Sequence, residues 1–130
     1  MPLQNFQYDT IMREYSRRQA QNHRILEKRT AEAYGKIPRL KEIDDEVATL
    51  SADKVRRLLN REEKGTADLK AAIQELSDER ITLLVANGFP GDYLEMPYTC
   101  PACQDTGYIG NKKCTCFKKA EIELLYAQSN

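Results

Sequence analysis

The sequence has no tryptophan, a single histidine and few aromatic residues, which make up only 8% of its 130 residues. Charged residues, in contrast, make up 31%. A chain with so few bulky apolar side chains places them along narrow helical stripes and not around one thick core. The composition therefore predicts a mainly helical protein.

The sequence also lacks a run of about 18 apolar residues and an apolar signal segment at its N-terminus. We therefore expect a cytoplasmic protein with no membrane partner. Lys and Arg together equal Asp and Glu at 20 each, but basic residues prevail over residues 1–37 and acidic residues over residues 65–99. This asymmetry favours docking onto another protein over coating a nucleic-acid backbone, which calls for a large basic excess.

Three long helices are predicted in the first 87 residues. Residues 8–34 contain no Pro or Gly, and Pro38 suits the first position of a second helix because it needs no hydrogen-bond partner there. That helix has a short coiled-coil-like period, carried by Leu40, Ile43, Val47 and Leu50. Ser51 is compatible either with a new cap or with a continuous helix that slips in register, and the latter is favoured.

The third helix is predicted to begin near Thr66, after a polar turn over residues 60–65, and to stop at residues 87–90 (NGFP). Since the connection is short, the second and third helices should pair as an antiparallel hairpin. The helical period then disappears at Gly88. The sequence thus predicts a helical, coiled-coil-like region over residues 1–87 and a small loop-rich module with a C-terminal helix over residues 88–130.

The module contains all four cysteines of the chain, Cys100, Cys103, Cys114 and Cys116. A Cys-x-x-Cys turn directs two sulfurs to one point, and Cys-x-Cys at the start of a helix supplies two more. The intervening residues can form a short β-hairpin, with Tyr108 and Ile109 in a strand and Gly110-Asn111 in the turn. The pattern predicts a structural Zn²⁺ site that is closed to water, because four thiolates complete the tetrahedron.

Other uses of the cysteines stay open at this stage, namely disulfide or redox chemistry and unpaired thiols. Disulfides suit exported chains, and a bond between Cys114 and Cys116 would be strained. Lysines near the cysteines, at positions 112, 113, 118 and 119, can offset the negative charge of the thiolates.

No catalytic or cofactor-binding residues are predicted. His23 and the acidic run of residues 42–46 are typical of solvated helix faces. Residues 107–113 (GYIGNKK) superficially resemble a phosphate loop but lack its Gly-x-x-x-x-Gly-Lys-Ser/Thr spacing. We therefore expect the chain not to be an enzyme.

Several segments together resemble the N-terminal region of DnaC/DnaI-type replicative helicase loaders of Firmicutes. They are residues 37–46 (IPRLKEIDDE), 87–90 (NGFP), 92–94 (DYL), 100–110 (CPACQDTGYIG), 114–119 (CTCFKK) and 125–130 (LYAQSN). The resemblance extends from about residue 8 to the end, and the cysteine segment is its most specific part.

The resemblance implies a zinc-binding module that contacts the replicative helicase and precedes an AAA+ ATPase domain, which would bind ATP and single-stranded DNA. This chain contains no such domain and is expected to be a piece of a longer protein. Cys100, Cys103, Cys114 and Cys116 take the zinc-ligand roles by resemblance. The cysteine segment is also similar to DnaJ zinc modules, which repeat the motif several times.

Two binding modes are predicted. As an adapter, the chain would seat apolar residues on the helicase, either Val55, Leu58 and Leu59 or Ile11 and Tyr15, unless these merely pack the helices together. As the alternative, Lys112, Lys113, Lys118 and Lys119 would hold the phosphates of single-stranded nucleic acid. Tyr98, Tyr108 or Phe117 would then stack on its bases.

Overall fold

The computed structural model of the protein describes residues 3–62 and 65–128. Its elements are the helices α1 (Asn5–Lys36), α2 (Arg39–Leu59), α3 (Thr66–Ala86) and α4 (Thr115–Gln128), with the strands β1 (Tyr108–Ile109) and β2 (Lys112–Lys113) between α3 and α4. The strands pair antiparallel, Tyr108 opposite Lys113 and Ile109 opposite Lys112. The predicted fold class is confirmed: the protein is mostly helical, with a helical hairpin, a short β-hairpin in the cysteine-bearing segment and a C-terminal helix.

The junction between α1 and α2 follows the local sequence. Pro38 occupies the N-cap position of α2, one residue earlier than the first helical position expected for it. Its φ of −57° is already helical, as the pyrrolidine ring requires. Helix α2 continues through Ser51, which confirms the continuous helix over the alternative of a new cap.

Helix α3 begins after Gly65, whose φ of +86° is in the left-handed region. The predicted polar turn before it includes residues 63 and 64, which lie outside the described residues. At the other end, Gly88 has a φ of +84°, and the backbone N–H of Phe89 donates to the carbonyl of Leu84 at 2.9 Å. This hydrogen bond closes the helix end, as residues 87–90 predicted.

Helices α2 and α3 form the predicted antiparallel hairpin. Two ion pairs cross it, one from Arg39 to Glu79 and one from Arg80 to Asp44, both at 2.8 Å. Asp44 also accepts a hydrogen bond from the hydroxyl of Tyr34, and burial raises the pKa of that hydroxyl to about 12. The acidic run of α2 is thus partly used to hold helices together.

The chain forms two compact units. The first comprises the residues up to 27 together with those from 96 onwards, and the second comprises residues 28–95. The core of the second unit consists of Ala33, Ile37, Leu40, Leu84 and Leu94. The division between residues 87 and 88, made from the sequence, stays a prediction. Within the described ranges, no helix is both long enough and apolar enough to cross a membrane.

Candidate metal centre

The four cysteine sulfurs converge in the first unit, where all of them lie within 4.8 Å of one another. The Sγ atoms of Cys100 and Cys114 are 3.8 Å apart, and those of Cys103 and Cys116 are 3.6 Å apart. In a tetrahedral site with metal–sulfur bonds of about 2.3 Å, neighbouring sulfurs are separated by about 3.8 Å. All four cysteines are free thiols, and their arrangement fits one metal ion. Among the described residues, no other cluster of potential metal ligands is present.

Cys100 and Cys103 are placed by a tight turn. The backbone N–H of Cys103 forms a hydrogen bond with the thiol of Cys100. The turn continues through Gln104 and Asp105, which have φ values of +55° and +62° although neither is a glycine. Such backbone costs energy and persists only where the surroundings hold it.

Asp105 is the residue that holds this turn. Its side chain is 1% exposed, and its two carboxylate oxygens accept the backbone N–H groups of Thr99, at 3.0 Å, and Cys100, at 2.8 Å. Hydrogen bonds to a charged acceptor are stronger than those between neutral groups. The carboxylate of Asp105 therefore fixes the backbone of Thr99 and Cys100, and with it the position of the first cysteine.

Cys114 and Cys116 are placed by the start of α4. The backbone N–H of Cys114 donates to the carbonyl of Gly107 at 2.8 Å, which ties the second cysteine pair to the β-hairpin. The carbonyl of Cys114 then accepts the N–H groups of Phe117 and Lys118 at 3.0 and 3.1 Å. The positive end of the α4 dipole lies beside the sulfurs and favours their ionised form.

Apolar packing around Phe117 encloses Cys103 and Cys114. Its ring is fully buried and stacks on that of Tyr15 from α1, with 6.0 Å between the ring centroids and 9° between the planes. Ile11 of α1 joins the same cluster, together with Cys103 and Cys114. Helix α1 is therefore part of the wall of the cysteine centre.

The thiols differ in how easily they ionise. The hydrogen bond from Cys103 lowers the pKa of the Cys100 thiol to about 7, whereas burial raises the pKa of the Cys116 thiol to about 12. Burial also raises the pKa of the Tyr15 hydroxyl, which lies 2.9 Å from Cys116 Sγ and therefore keeps its proton for donation. Thiolates are the form that binds metals, and a bound cation favours that form.

Basic side chains lie on the open side of the centre, although they are not all those expected from the sequence. A cavity of about 240 Å³ is lined by the half-buried Cys100 and Cys116, by the basic Arg18 and Lys119 and by the acidic Glu123. Lys113 instead forms an ion pair with Glu121 and lies over the ring of Phe117. Lys119 is therefore the one of the four lysines that lines this cavity, and it does so together with Arg18, which also forms an ion pair with Glu14 at 3.4 Å.

Two sets of residues expected on binding surfaces are buried instead. Ile11 and Tyr15, considered as contacts to a partner, are 5% and 2% exposed because they pack on the cysteine segment. Phe117, considered as a base-stacking residue, is enclosed by the rings of Tyr8, Tyr15 and Tyr108. Ile11 and Tyr15 therefore pack within the protein, which is the alternative that the sequence left open for them, and Phe117 is not exposed for base stacking.

The sequence did not identify the polar residues that bind Cys116 or hold the turn beside Cys100. These are Tyr15, Gln19 and Asn22 of α1 and Asp105 of the turn. The positions 15, 19 and 22 share one helix face, which was the available signal. His23 is exposed, as expected of a solvated helix face.

Comparisons of the chain with models of protein families, with curated proteins and with solved structures found no match.

Proposed function

We propose that Cys100, Cys103, Cys114 and Cys116 bind one Zn²⁺ ion in a structural site. The observation that carries this proposal is the convergence of the four sulfurs, which all lie within 4.8 Å of one another with two pairs at 3.6 and 3.8 Å, close to the spacing of thiolates around one zinc ion. Soft thiolate ligands in this geometry favour zinc or iron. Four protein ligands leave no position for a water, so the ion would stabilise the fold and would not catalyse a reaction.

Metal analysis of the protein, purified without added metal, tests this proposal. One zinc per chain is expected, with thiols that react only after a chelator is added. Cys103→Ser, at a buried position, should abolish stoichiometric binding, whereas His23→Ala should not change it because that side chain is exposed. Recovery of the wild-type chain without metal and with two disulfides would overturn the site, and iron in place of zinc would correct the identity of the ion.

We further propose that the chain is a non-catalytic adapter of a DNA-replication helicase loader and binds the replicative helicase. Two observations support the adapter: the resemblance of the cysteine segment, and three exposed apolar residues near the end of α2. Val55, Leu58 and Leu59 are 54%, 52% and 79% exposed. We call these three residues the α2 apolar surface. Exposed apolar residues grouped on one element are typical of protein-binding sites. ATP binding would belong to an ATPase domain, as in the proteins that the chain resembles.

Binding of the full chain to a purified Firmicutes replicative helicase, measured by calorimetry, tests the adapter. The double variant Val55→Ser/Leu59→Ser should weaken binding by about 10-fold or more, because apolar anchors carry much of the binding energy. Ile122→Ser is a matched control, since Ile122 is 67% exposed but lies on α4. Equal binding by the double variant would exclude the α2 apolar surface, and absence of binding by the wild type would exclude this partner.

Direct binding of single-stranded nucleic acid is the second candidate. Lys112, Lys118 and Lys119 are exposed, and Tyr98, at 39%, is the exposed one of the three rings considered for base stacking. Binding of an oligonucleotide whose affinity falls steeply with salt, and falls further in Lys118→Gln/Lys119→Gln, would favour this function. An affinity that changes neither with salt concentration nor in Lys118→Gln/Lys119→Gln would exclude phosphate binding by these lysines.

A further inference from the structure

Three polar side chains on one face of α1 reach the cysteine segment. The hydroxyl of Tyr15 lies 2.9 Å from Sγ of Cys116. One turn further along, the side-chain amide of Gln19 donates to the backbone carbonyl of Asp105 at 2.7 Å. Asn22 follows on the same face and donates to Asp105 Oδ2 at 2.9 Å.

Through Asp105 the same helix face also reaches the first cysteine pair. The carboxylate that accepts from Asn22 accepts the backbone N–H groups of Thr99 and Cys100 as well. Asn22 donates in addition to the hydroxyl of Thr99 at 3.1 Å. Helix α1 is therefore connected to Cys116 directly and to Cys100 through one intermediate carboxylate.

Of Tyr15, Gln19, Asn22 and Asp105, only Gln19 is exposed, and the other three cannot be separated from their partners without cost. Tyr15, Asn22 and Asp105 are 2%, 6% and 1% exposed. A buried polar group that loses its partner costs free energy of desolvation, and more so when the partner is charged. If α1 moved away, the thiolate of Cys116 and the carboxylate of Asp105 would each lose a donor.

We propose that Tyr15, Gln19 and Asn22 are positioning residues of the metal site and that metal binding and the docking of this part of α1 stabilise each other. Tyr15 donates to the thiolate of Cys116, while Gln19 and Asn22 hold the turn that aims Cys100. The coupling rests on the metal binding proposed above and not on the helicase, so its tests need only the full chain and a metal ion, Zn²⁺ or Co²⁺.

The first test compares zinc affinity in two tyrosine variants. Tyr15→Phe keeps the ring that stacks on Phe117 and removes only the hydroxyl. We expect its zinc dissociation constant to rise about 10-fold or more, the usual effect of losing a hydrogen bond to a ligand. Tyr108→Phe is the matched control, because its ring also packs on Phe117 but its hydroxyl meets that of Tyr8 at 3.3 Å and no sulfur.

The second test uses the spectrum of the Co²⁺-loaded protein. A hydrogen bond to a thiolate withdraws electron density from the sulfur, so its loss in Tyr15→Phe should shift the sulfur-to-metal charge-transfer band to lower energy. Tyr108→Phe should leave the band unchanged. A purely structural role of Tyr15 would lower affinity without this shift.

The third test asks whether the metal stabilises the docking of α1. It measures amide hydrogen exchange with and without a chelator. Removal of zinc should accelerate exchange over residues 11–22 of α1 as well as over residues 99–117. Amides of α2 and α3 between residues 40 and 86 serve as the internal control and should keep their rates.

The outcomes separate the two proposals. Failure of the wild-type chain to bind Zn²⁺ would overturn the metal site and the coupling together. Tight binding by the wild type with an unchanged dissociation constant and spectrum in Tyr15→Phe would overturn the role of Tyr15 alone. Acceleration confined to residues 99–117 would show that α1 docks independently of the metal and would overturn the coupling.

Discussion

At the scale of single residues, Gly107 carries a double constraint. Its φ is +85°, and a Cβ placed on it would lie 2.9 Å from Cδ2 of Phe117 and 3.1 Å from Cε2 of Tyr15. The position therefore requires both a left-handed backbone and the absence of a side chain. It allows the rings of α1 and α4 to close over the hairpin.

Gly107→Ala should lower the free energy of unfolding of the zinc-loaded protein by about 2–5 kcal/mol, the sum of the costs of the left-handed backbone and of the overpacking. Urea unfolding measures the change. Gly110→Ala is the control, since Gly110 has a φ of +63° but nothing within 4 Å of the added Cβ, so only the backbone cost of about 1–2 kcal/mol applies. Equal effects of the two variants would contradict the close approach of the rings.

Asp105 is the second residue on which the cysteine segment depends. Asp105→Asn keeps the shape but turns an amide N–H₂ towards backbone donors, so we expect a loss of about 2–3 kcal/mol in the same urea assay. Asp92→Asn, at an exposed position of the second unit, should change stability by less than about 0.5 kcal/mol. A neutral effect at Asp105 would mean that its carboxylate does not hold the turn.

At the scale of elements, the α2–α3 hairpin is held by a few buried side chains. Leu84 of α3 is fully buried among Ala33, Ile37, Leu40 and Leu94. The stripe of α2 is buried at Leu40 and Ile43 near its start, while Leu58 and Leu59 at its end are exposed. The hairpin therefore has a packed end and an end whose apolar side chains are exposed.

Leu84→Ala should destabilise the second unit by about 2–5 kcal/mol, because the cavity it leaves adds to the lost apolar burial. Leu59→Ala removes the same atoms from a side chain that is 79% exposed and should cost less than about 0.5 kcal/mol. Thermal unfolding followed by circular dichroism measures both. A large loss in Leu59→Ala would show that this side chain is covered and not free for a partner.

At the scale of the whole molecule, each compact unit has its own buried cluster. The cluster of the second unit is drawn entirely from residues 33–94. The cluster of the first unit joins Ile11 and Tyr15 to Cys103, Cys114 and Phe117, which are far away in the sequence. The second unit is thus continuous in sequence, and the first is not.

A fragment of residues 28–95 should therefore fold by itself, because it contains every member of its cluster and both ion pairs of the hairpin. We expect a helical circular dichroism spectrum and a cooperative thermal transition that a chelator does not shift. A fragment that is helical but melts without cooperativity would show that the second unit needs the remaining chain.

Much of this architecture could be predicted from the sequence, because the signals are local. The period of α2, the stop at residues 87–90 and the turn at Gly110-Asn111 each act over a few residues, and the structure has the elements where these signals place them. The convergence of the four sulfurs was likewise predictable, since Cys-x-x-Cys and Cys-x-Cys each direct two sulfurs to one point and the short hairpin between them returns the second pair to the first.

Only the tertiary structure decided what surrounds the sulfurs. Tyr15 and Cys116 are 101 residues apart in the sequence, and Asn22 and Asp105 are 83 apart. An amphipathic stripe indicates that one face of α1 is covered, but not which part of the protein covers it. Polar residues within that face are predicted to be solvated as long as their partners are unknown. The sequence by itself therefore determined the helices and the set of candidate ligands, because spacing along the chain controls both. The placement of α1 against the cysteine segment depended on long-range packing and on buried hydrogen bonds.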